Sequence, residues 1–178
     1  MWRIFLIGYM GSGKTTIGKL LAKRAGLQFV DLDLFIENRY HKSIEQLFSE
    51  KGESGFREIE RRALEEVAGF EDIVISTGGG APCFFDNMTL MNQRGLTVYL
   101  KVSESGLAER LNYMKHNRPL IKDKNEDELK IFISESLGKR ELFYNQAKLR
   151  LDAEQLLDEE DVDNIVISLI ETMKVMHI

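Results

Sequence analysis

Short apolar runs alternate with longer amphipathic segments along the whole chain. The apolar runs predict five strands, at Trp2–Ile7, Gln28–Asp31, Ile73–Ser76, Thr97–Lys101 and Lys148–Asp152. A helical period predicts helices at Thr15–Ala25, Ser54–Ala68, Asn87–Gln93, Ser103–Lys115, Glu126–Gln146 and about Val162–Met176. This alternation indicates an α/β fold with a five-stranded parallel sheet and helices on both faces. In such sheets, ligands bind beyond the carboxyl ends of the strands.

Three local signals refine this pattern. Ser43 and Gln46 predict a capping box for a short helix that ends near Gly52. The acidic stretch "DEEDVD" suits the N-terminus of the last helix. The polar stretch "KHNRPLIKDKNED" breaks the alternation and contains one of only two prolines. Its length is typical of a lid, which we expect over about residues 113–126, and the alternative is a solvated surface loop.

Length and composition narrow the class of protein. A chain of 178 residues predicts one domain, residues 1–178, with its own core. The net charge of −5 argues against a general nucleic-acid binder. No apolar run approaches the roughly 20 residues that span a bilayer, and Trp2–Ile7 is short and lacks a basic leader, so we expect no membrane partner and no signal peptide.

The single cysteine and the three histidines argue against a disulfide framework and a structural zinc site. Cys83 is the single cysteine, which rules out an intramolecular disulfide and favours a reducing, cytoplasmic location. His41, His116 and His177 lie far apart and form no metal-binding spacing. We expect a monomer that handles anionic ligands through locally gathered positive groups.

The segment "FLIGYMGSGKTTIGKLLAKRAG" predicts a nucleoside-triphosphate site. Gly8, Gly13, Lys14 and Thr15 satisfy G-x-x-x-x-G-K-[ST], so the P-loop spans residues 8–15, with a strand before it and a helix after it. Its backbone N–H groups cradle phosphates, the lysine reaches the terminal phosphates, and the threonine hydroxyl holds Mg²⁺. The residues expected to bind ATP here are Gly11, Ser12, Gly13, Lys14, Thr15 and Thr16.

A P-loop alone does not separate kinases from switches and motors. The sequence has no N-K-x-D guanine motif and no clear D-x-x-G switch signal. The chain is also too short for an ordinary motor domain. A small-molecule kinase is therefore the natural interpretation.

Two aspartates end the second predicted strand, in "FVDLD". Because Asp31 and Asp33 are two positions apart, an extended chain would place both carboxylates on one side, beyond the carboxyl end of the strand. One carboxylate could take a proton from an attacking hydroxyl while the other holds a metal-bound water. The alternative for Asp33 is the N-cap of a following helix, and both roles are compatible.

Arginines and glycines supply candidates for the other substrate. Arg57 and Glu60 lie three apart on a helix, so the glutamate could hold the arginine as a fork for a carboxylate. The alternative is a solvated ion pair of little energetic worth. Three consecutive glycines, Gly78, Gly79 and Gly80, follow a buried strand and allow close approach of a ligand, whereas the alternative is a flexible turn. Arg118 and Arg140 complete the candidate anion clamps, although each alone is typical of a surface arginine.

With these residues assembled, the sequence resembles the shikimate kinases. The similarity covers almost the whole chain, through "GYMGSGKTTIGKLLA", "FVDLDLFIE", "GFREIE", "STGGGA", "RPLI" and "KRELFY", in the family's order and spacing. The resemblance implies a three-layer α/β/α P-loop kinase of the nucleoside-monophosphate-kinase type with a mobile lid. It also implies transfer of the γ-phosphate of ATP to the 3-hydroxyl of shikimate, a step toward chorismate and the aromatic amino acids.

The resemblance implies a role for each candidate. Asp33 would contact the hydroxyls of shikimate and act as base, and Arg57, assisted by Arg140, would bind its carboxylate. Gly78, Gly79 and Gly80 would line the same pocket, within a shikimate-binding region at about residues 31–61. Asp31 would order the waters of Mg²⁺ together with Thr15. Arg118 would be the catalytic lid arginine that closes over the phosphates, and Arg110 would lie against the adenine.

The sequence departs from the family pattern near Arg140. The stretch "RELFYNQA" lacks the proline often found after the helix arginine, and its tyrosine-to-alanine spacing is one residue short. Rival interpretations are a related P-loop kinase for gluconate or a nucleoside monophosphate, and a nucleotide-binding regulatory module without catalysis. The glycine turn with Arg57 argues against the first rival, and the combined set of Lys14, Thr15, Asp31, Asp33 and Arg118 argues against the second.

Overall fold

A computed structural model describes residues 2–114, 121–156 and 158–176. Its strands are β1 (Arg3–Ile7), β2 (Gln28–Asp31), β3 (Ile73–Ser76), β4 (Leu96–Lys101) and β5 (Leu149–Asp152). Its helices are α1 (Lys14–Ala25), α2 (Leu32–Tyr40), α3 (Ile44–Val67), α4 (Asn87–Arg94), α5 (Glu104–Tyr113), α6 (Glu126–Tyr144) and α7 (Glu159–Val175). A short 3₁₀ helix covers Ala81–Cys83.

The five strands form one parallel sheet in the order β2-β3-β1-β4-β5. Every residue of Ile4–Ile7 and of β3 is buried. Because successive residues of a strand point to opposite faces, the centre of the sheet is covered on both sides. The α/β class and the five-stranded parallel sheet predicted from the sequence are thus confirmed.

The sheet order decides where a site can form. β1 pairs with β3 on one side and with β4 on the other, and Leu6 lies opposite Ser76. The chain after β1 and the chain after β3 therefore leave the sheet side by side. Ligands of doubly wound sheets bind at such a switch point.

The helices follow the predicted boundaries, with three differences. The capping box at Ser43 and Gln46 is present, and the short helix runs into the next one, so that α3 continues across a non-helical Gly52 (φ 67°, ψ 178°). The last helix begins one turn early, because Asp158 caps it and the acidic residues fill its first turn. The third difference is α2, which the sequence suggested only as a helix that Asp33 could cap.

Helix α2 corrects the expectation for the two aspartates. β2 ends at Asp31 and α2 begins at Leu32, so Asp33 lies in the first turn of a helix and not in an extended chain. The carboxylate of Asp31 accepts hydrogen bonds from the N–H groups of Asp33 (3.1 Å) and Leu34 (3.4 Å). Asp31, not Asp33, is therefore the N-cap.

The expected lid falls partly outside the described residues, because residues 115–120 are not among them. The lid and its Arg118 stay predictions. No helix in the described ranges is long and apolar enough to cross a membrane.

Candidate active site

The P-loop has the backbone that its glycines predict. Gly8, Gly11 and Gly13 have φ angles of 144°, 81° and 92°, a region that favours glycine. At Gly8, a Cβ atom would also lie 2.8 Å from the carbonyl oxygen of Leu100. The loop therefore curls tightly into the N-terminus of α1, where N–H groups and the helix dipole favour an anion.

Lys14 lies across this loop. Its Nζ donates hydrogen bonds to the carbonyl oxygens of Gly8 (2.9 Å) and Tyr9 (2.8 Å). The ammonium group is thus held at the mouth of the P-loop, next to the N-terminus of α1. A phosphate bound in the P-loop would lie next to this cation.

A cavity of about 490 Å³ connects the P-loop to the ends of β2 and β3. Its lining includes most of the predicted nucleotide and metal residues, namely Gly11, Gly13, Lys14, Thr15, Thr16, Asp31 and Arg110. It also includes Asp33, Gly78 and Gly79 from the acceptor side. Ser12, Gly80, Arg57 and Arg140 are not among its described lining residues, and Arg118 lies outside the described residues.

Thr15 and Asp31 place a hydroxyl and a carboxylate side by side on the cavity wall. The hydroxyl of Thr15 donates to Oδ2 of Asp31 at 2.9 Å, while Oδ1 of Asp31 caps α2. Among the described residues, no group of three or more His, Cys, Asp or Glu side chains is arranged to hold a metal ion. Mg²⁺ takes oxygen ligands and keeps several waters, so one hydroxyl and one carboxylate beside a phosphate site fit this ion.

Asp33 lines the cavity together with residues of the P-loop and of the glycine turn after β3. A Cβ atom on Gly78 would be 2.9 Å from its Oδ1, so the carboxylate contacts the glycine turn. Burial raises the pKa of Asp33 to about 6, and the neighbouring charge of Asp31 adds to the rise. Lys14 and Arg57 oppose this rise. A carboxylate with a pKa near 6 suits a general base at neutral pH.

Each glycine of the turn after β3 contacts a different part of the site. A Cβ atom on Gly78 would lie 3.0 Å from Oε1 of Glu60. A Cβ atom on Gly80 would lie 2.7 Å from Nη2 of Arg57. At Gly79 the Cβ would lie 3.3 Å from the backbone nitrogen of Met10 in the P-loop. The three glycines thus make room for their neighbours, which favours the interpretation of close approach over that of a flexible turn.

Arg57 and Glu60 form a buried ion pair, so the alternative of a solvated pair is wrong. Nη1 of Arg57 lies 2.8 Å from Oε2 of Glu60, and the Glu60 side chain is only 2% exposed. Burial raises the pKa of Glu60, although the charge of Arg57 opposes the rise. Nη2 lies 3.5 Å from the exposed Glu53, and the buried Nε has no hydrogen-bond partner among the described residues. The Nε–Nη2 edge is thus the one that remains for a carboxylate ligand.

Three aromatic rings lie around the Arg57 guanidinium. Its Cζ lies 4.0 Å from the ring centre of Phe84 and 5.4 Å from the rings of Phe48 and Phe56. Phe48 and Phe56 stack on each other at 4.1 Å. Sequence reasoning did not identify this aromatic box, because only the i,i+3 spacing of Arg57 and Glu60 is visible in the sequence.

Arg140 reaches the same turn from α6. A Cβ atom on Gly79 would lie 3.6 Å from its Nη1, and its Cζ lies 5.3 Å from the ring centre of Tyr9 in the P-loop. Since Gly79 and Gly80 are adjacent, the structure brings Arg140 and Arg57 to one turn. Two arginines with one buried glutamate make a site for an anion.

Arg110 lies at the opposite end of the cavity. Its Nη2 donates to the carbonyl oxygens of Ala153 (2.7 Å) and Glu154 (2.6 Å), and its Nη1 to that of Gly11 (3.4 Å). Burial lowers the pKa of Arg110. The guanidinium therefore joins α5 to the P-loop and to the chain after β5.

The structure also adds lining residues that the sequence reasoning missed. They are Met10, Ser76, Thr77, Tyr113, Met114, Leu156 and Val162. Ser76 ends β3, Thr77 follows it, and Leu156 follows β5. The rule that ligands bind beyond the carboxyl ends of parallel strands was the signal that could have found these three.

Comparisons with known proteins agree with this geometry. A family model described as shikimate kinase matches residues 10–170. The chain is 61% identical to a shikimate kinase of Parabacteroides distasonis over 165 residues, 93% of this chain and 95% of that protein. A 1.7 Å crystal structure of shikimate kinase from Bacteroides thetaiotaomicron has a TM-score of 0.95 and 50% identity, covering 97% of this chain and 98% of that one. Shikimate kinase from Acinetobacter baumannii in complex with shikimate has a TM-score of 0.84 and 30% identity, covering 98% and 94%.

Proposed function

Because the chain belongs to the shikimate kinase family, we propose that its cavity is where the γ-phosphate of ATP passes to the 3-hydroxyl of shikimate. The family's activity is that of an ATP-dependent kinase, and its product leads toward chorismate and the aromatic amino acids. The observation that best supports the proposal is the glycine turn Gly78–Gly80. One of its residues packs on the P-loop while the next packs on Arg57, so a donor site and an anion site share one wall.

The donor half is assigned to the P-loop and α1. The triphosphate of ATP lies against the backbone of Gly11–Thr16, and Lys14 moves from the carbonyls of Gly8 and Tyr9 to the terminal phosphates. Arg110 lies beside the base, at the end of the cavity where it joins Gly11 to the chain after β5. Arg118 is assigned to the γ-phosphate as the arginine of a lid at about residues 113–126.

Thr15 and Asp31 would hold Mg²⁺, with Asp31 ordering its waters. When bound, the ion neutralises charge on the phosphate oxygens. The 2.9 Å contact between Thr15 and Asp31 keeps both oxygen ligands together beside Lys14.

The acceptor half, within about residues 31–61, fixes shikimate by its carboxylate. The Nε–Nη2 edge of Arg57, whose Nε has no partner among the described residues, donates two hydrogen bonds to the carboxylate, and Arg140 assists across Gly79 and Gly80. Because the far end of the substrate is held, the 3-hydroxyl is directed at Asp33. This arrangement provides the positioning on which phosphoryl transfer mainly depends.

The transfer step is then an in-line displacement. The oxygen of the 3-hydroxyl forms the new bond to the γ-phosphorus, and the bond from that phosphorus to the β,γ-bridging oxygen breaks, releasing ADP. The proton of the hydroxyl passes to the carboxylate of Asp33. Lys14 and Arg118 stabilise the charge on the transferred group.

We propose a monomer of one domain, residues 1–178, with small-molecule partners and without nucleic acid.

An acceptor panel tests the proposal. ADP release is measured with Mg²⁺ and ATP, and shikimate, gluconate or AMP is offered separately. Turnover with shikimate alone is expected, and product analysis should find shikimate 3-phosphate. Turnover with gluconate or AMP instead would overturn the roles of Asp33, Arg57 and Gly78–Gly80 while keeping the P-loop assignment.

A matched pair of variants guards against contaminating activity. Lys14→Met removes the phosphate-binding cation and should abolish turnover. Lys19→Met changes an exposed lysine of the same helix and should leave turnover intact. Equal activity of the two variants would show that the measured ADP comes from another protein.

A further inference from the structure

We propose that Tyr144 is a positioning residue whose hydroxyl holds Gly79 in place between the P-loop and Arg140. The inference rests on the proposed function, since it gives Tyr144 a part in placing the acceptor. It names a side chain outside the cavity lining that acts on the substrate through the glycine turn and not by contact.

The contact itself is short and buried. Tyr144 is the last residue of α6 and is fully buried, and its hydroxyl donates to the carbonyl oxygen of Gly79 at 2.6 Å. Burial raises the pKa of Tyr144, although the charge of Arg140 and a hydrogen bond with its side chain oppose the rise, so the hydroxyl is a donor at neutral pH. Loss of this donor would leave the part-buried carbonyl of Gly79 short of one hydrogen bond.

Gly79 has little freedom to move without changing both halves of the site. A Cβ atom there would lie 3.3 Å from the nitrogen of Met10 and 3.4 Å from the carbonyl oxygen of Gly8, both in the P-loop. On another side it would lie 3.6 Å from Nη1 of Arg140. A shift of this residue by a few tenths of an ångström would therefore alter the spacing between the nucleotide loop and the acceptor arginine.

The position of Tyr144 on α6 explains why it can serve this role. Arg140 precedes it by four residues, so both side chains lie on one helix face and both reach Gly79. The Tyr144 ring also packs on Tyr99, with ring centres 5.1 Å apart. Because the ring is held by packing, its hydroxyl can be removed with the ring left in place.

Tyr144→Phe tests the hydroxyl, with Tyr99→Phe as matched control. Tyr99 is equally buried and packs on Tyr144, but its hydroxyl lies near Glu141 and Arg150. For Tyr144→Phe we expect the KM for shikimate to rise about tenfold, as for the loss of one buried hydrogen bond, with the KM for ATP changed less than about twofold. Tyr99→Phe should change neither constant.

Three outcomes separate the explanations. An unchanged KM for shikimate in Tyr144→Phe would overturn the inference. In Tyr144→Phe, equal rises in the KM for shikimate and the KM for ATP, with the same loss of Tm in Tyr144→Phe and Tyr99→Phe, would also overturn it. The hydroxyl of Tyr144 would then have only a structural role. A wild-type protein that does not phosphorylate shikimate would instead overturn the proposed function, and this is measured first.

Discussion

The Cα atom of Gly80 lies so close to Arg57 that a side chain there would overlap the guanidinium. A Cβ atom would come within 2.7 Å of Nη2 and 3.0 Å of Nη1. The backbone of Gly80 is ordinary (φ −87°, ψ −22°), so the overlap and not the backbone requires glycine. Arg57 cannot simply move aside, since Glu60 and three aromatic rings hold it.

Gly80→Ala should therefore displace Arg57 and weaken the binding of shikimate. We expect its KM for shikimate to rise at least about tenfold, the range seen for loss of a charge-assisted hydrogen bond, while the KM for ATP stays near the wild-type value. Steady-state kinetics with each substrate varied in turn measures both constants.

Gly138→Ala is the matched control for this substitution. Gly138 lies within α6 and nothing lies within 4 Å of its hypothetical Cβ. The change should stabilise the helix by about 0.5–1 kcal/mol and leave both KM values alone. A Gly80→Ala enzyme with the kinetics of Gly138→Ala would contradict the contact between Gly80 and Arg57.

Asp33→Asn should remove turnover from a folded protein. The amide cannot take the proton of the 3-hydroxyl, and general-base contributions are typically about 100- to 10,000-fold. We expect kcat to fall within that range, with nucleotide affinity retained in calorimetry. An active Asp33→Asn enzyme would rule out Asp33 as the base.

The same variant tests the environment of Asp33 through the pH dependence of stability. The pKa of Asp33 is about 6 in the folded protein and ordinarily 3.8, so the folded state binds the proton more tightly. The stability that this protonation contributes is present below pH 4 and is lost as the pH rises through about 6. The Tm of the wild type relative to Asp33→Asn should fall on the order of 2–6 °C between pH 4 and 6.5, then stay level.

Scanning calorimetry in chelator and without nucleotide makes this comparison directly. The chelator is needed because a bound cation next to Asp31 would lower the pKa of its neighbour. A Tm difference that stays constant, or that grows with rising pH, would show that burial does not destabilise the charged form of Asp33.

Asp31→Asn should separate the metal role of Asp31 from its capping role. Asparagine caps helices about as well as aspartate, so α2 should persist and the Tm should change little. Loss of the carboxylate beside Thr15 should raise the Mg²⁺ concentration for half-maximal activity about 10- to 100-fold.

Asp158→Asn makes the same substitution at the N-cap of α7, where the side chain accepts a hydrogen bond from Asp161. Its Mg²⁺ dependence should match the wild type. If Asp31→Asn also shows the wild-type Mg²⁺ dependence, Asp31 does not hold the ion.

Phe84→Leu should loosen Arg57 without removing any charge. The ring lies 4.0 Å from the guanidinium carbon, and a cation–π contact of this kind contributes about 0.5–2 kcal/mol. We expect a rise of about three- to tenfold in the KM for shikimate and an unchanged KM for ATP. Phe85→Leu, at an adjacent side chain that is 61% exposed, should change neither, and equal effects would exclude a specific role for Phe84.

The sheet and the P-loop could be predicted from the sequence because their signals are local. Buried parallel strands give continuous apolar runs, and all five predicted strands exist with their ends within one residue. The loop after β1 needs glycines at fixed spacing, since Gly8, Gly11 and Gly13 have left-handed or otherwise strained φ angles.

Helix α2 escaped prediction because its helical signal is weak. It follows β2 without any connecting loop, and within it only Leu32 and Ile36 are buried, whereas Leu34 is 52% exposed. The two aspartates suggested a helix only as an alternative, with Asp33 and not Asp31 as its N-cap. The consequence was an extended Asp31–Asp33 where the structure has an N-cap and a first helical turn.

Contacts between distant segments were beyond the reach of sequence spacing. Phe84 contacts Arg57 from another element, and Tyr144 reaches Gly79 across 65 positions. No period or motif links such residues. The glycine turn was predicted as a place of close approach, but what approaches it, Arg57, Arg140 and the P-loop itself, depends on the packing of three separate segments.

The sheet order has a consequence for synthesis of the chain. β1, which leads into the P-loop, is the central strand, yet it is translated before both of its partners, and Arg3 pairs with Ile73 about 70 residues later. At a translation rate of about 5–20 residues per second, the apolar run Ile4–Ile7 waits several seconds for any neighbour in the sheet. The strand that carries the nucleotide loop is thus made before its neighbours, and it has both of them only once β4 has been made.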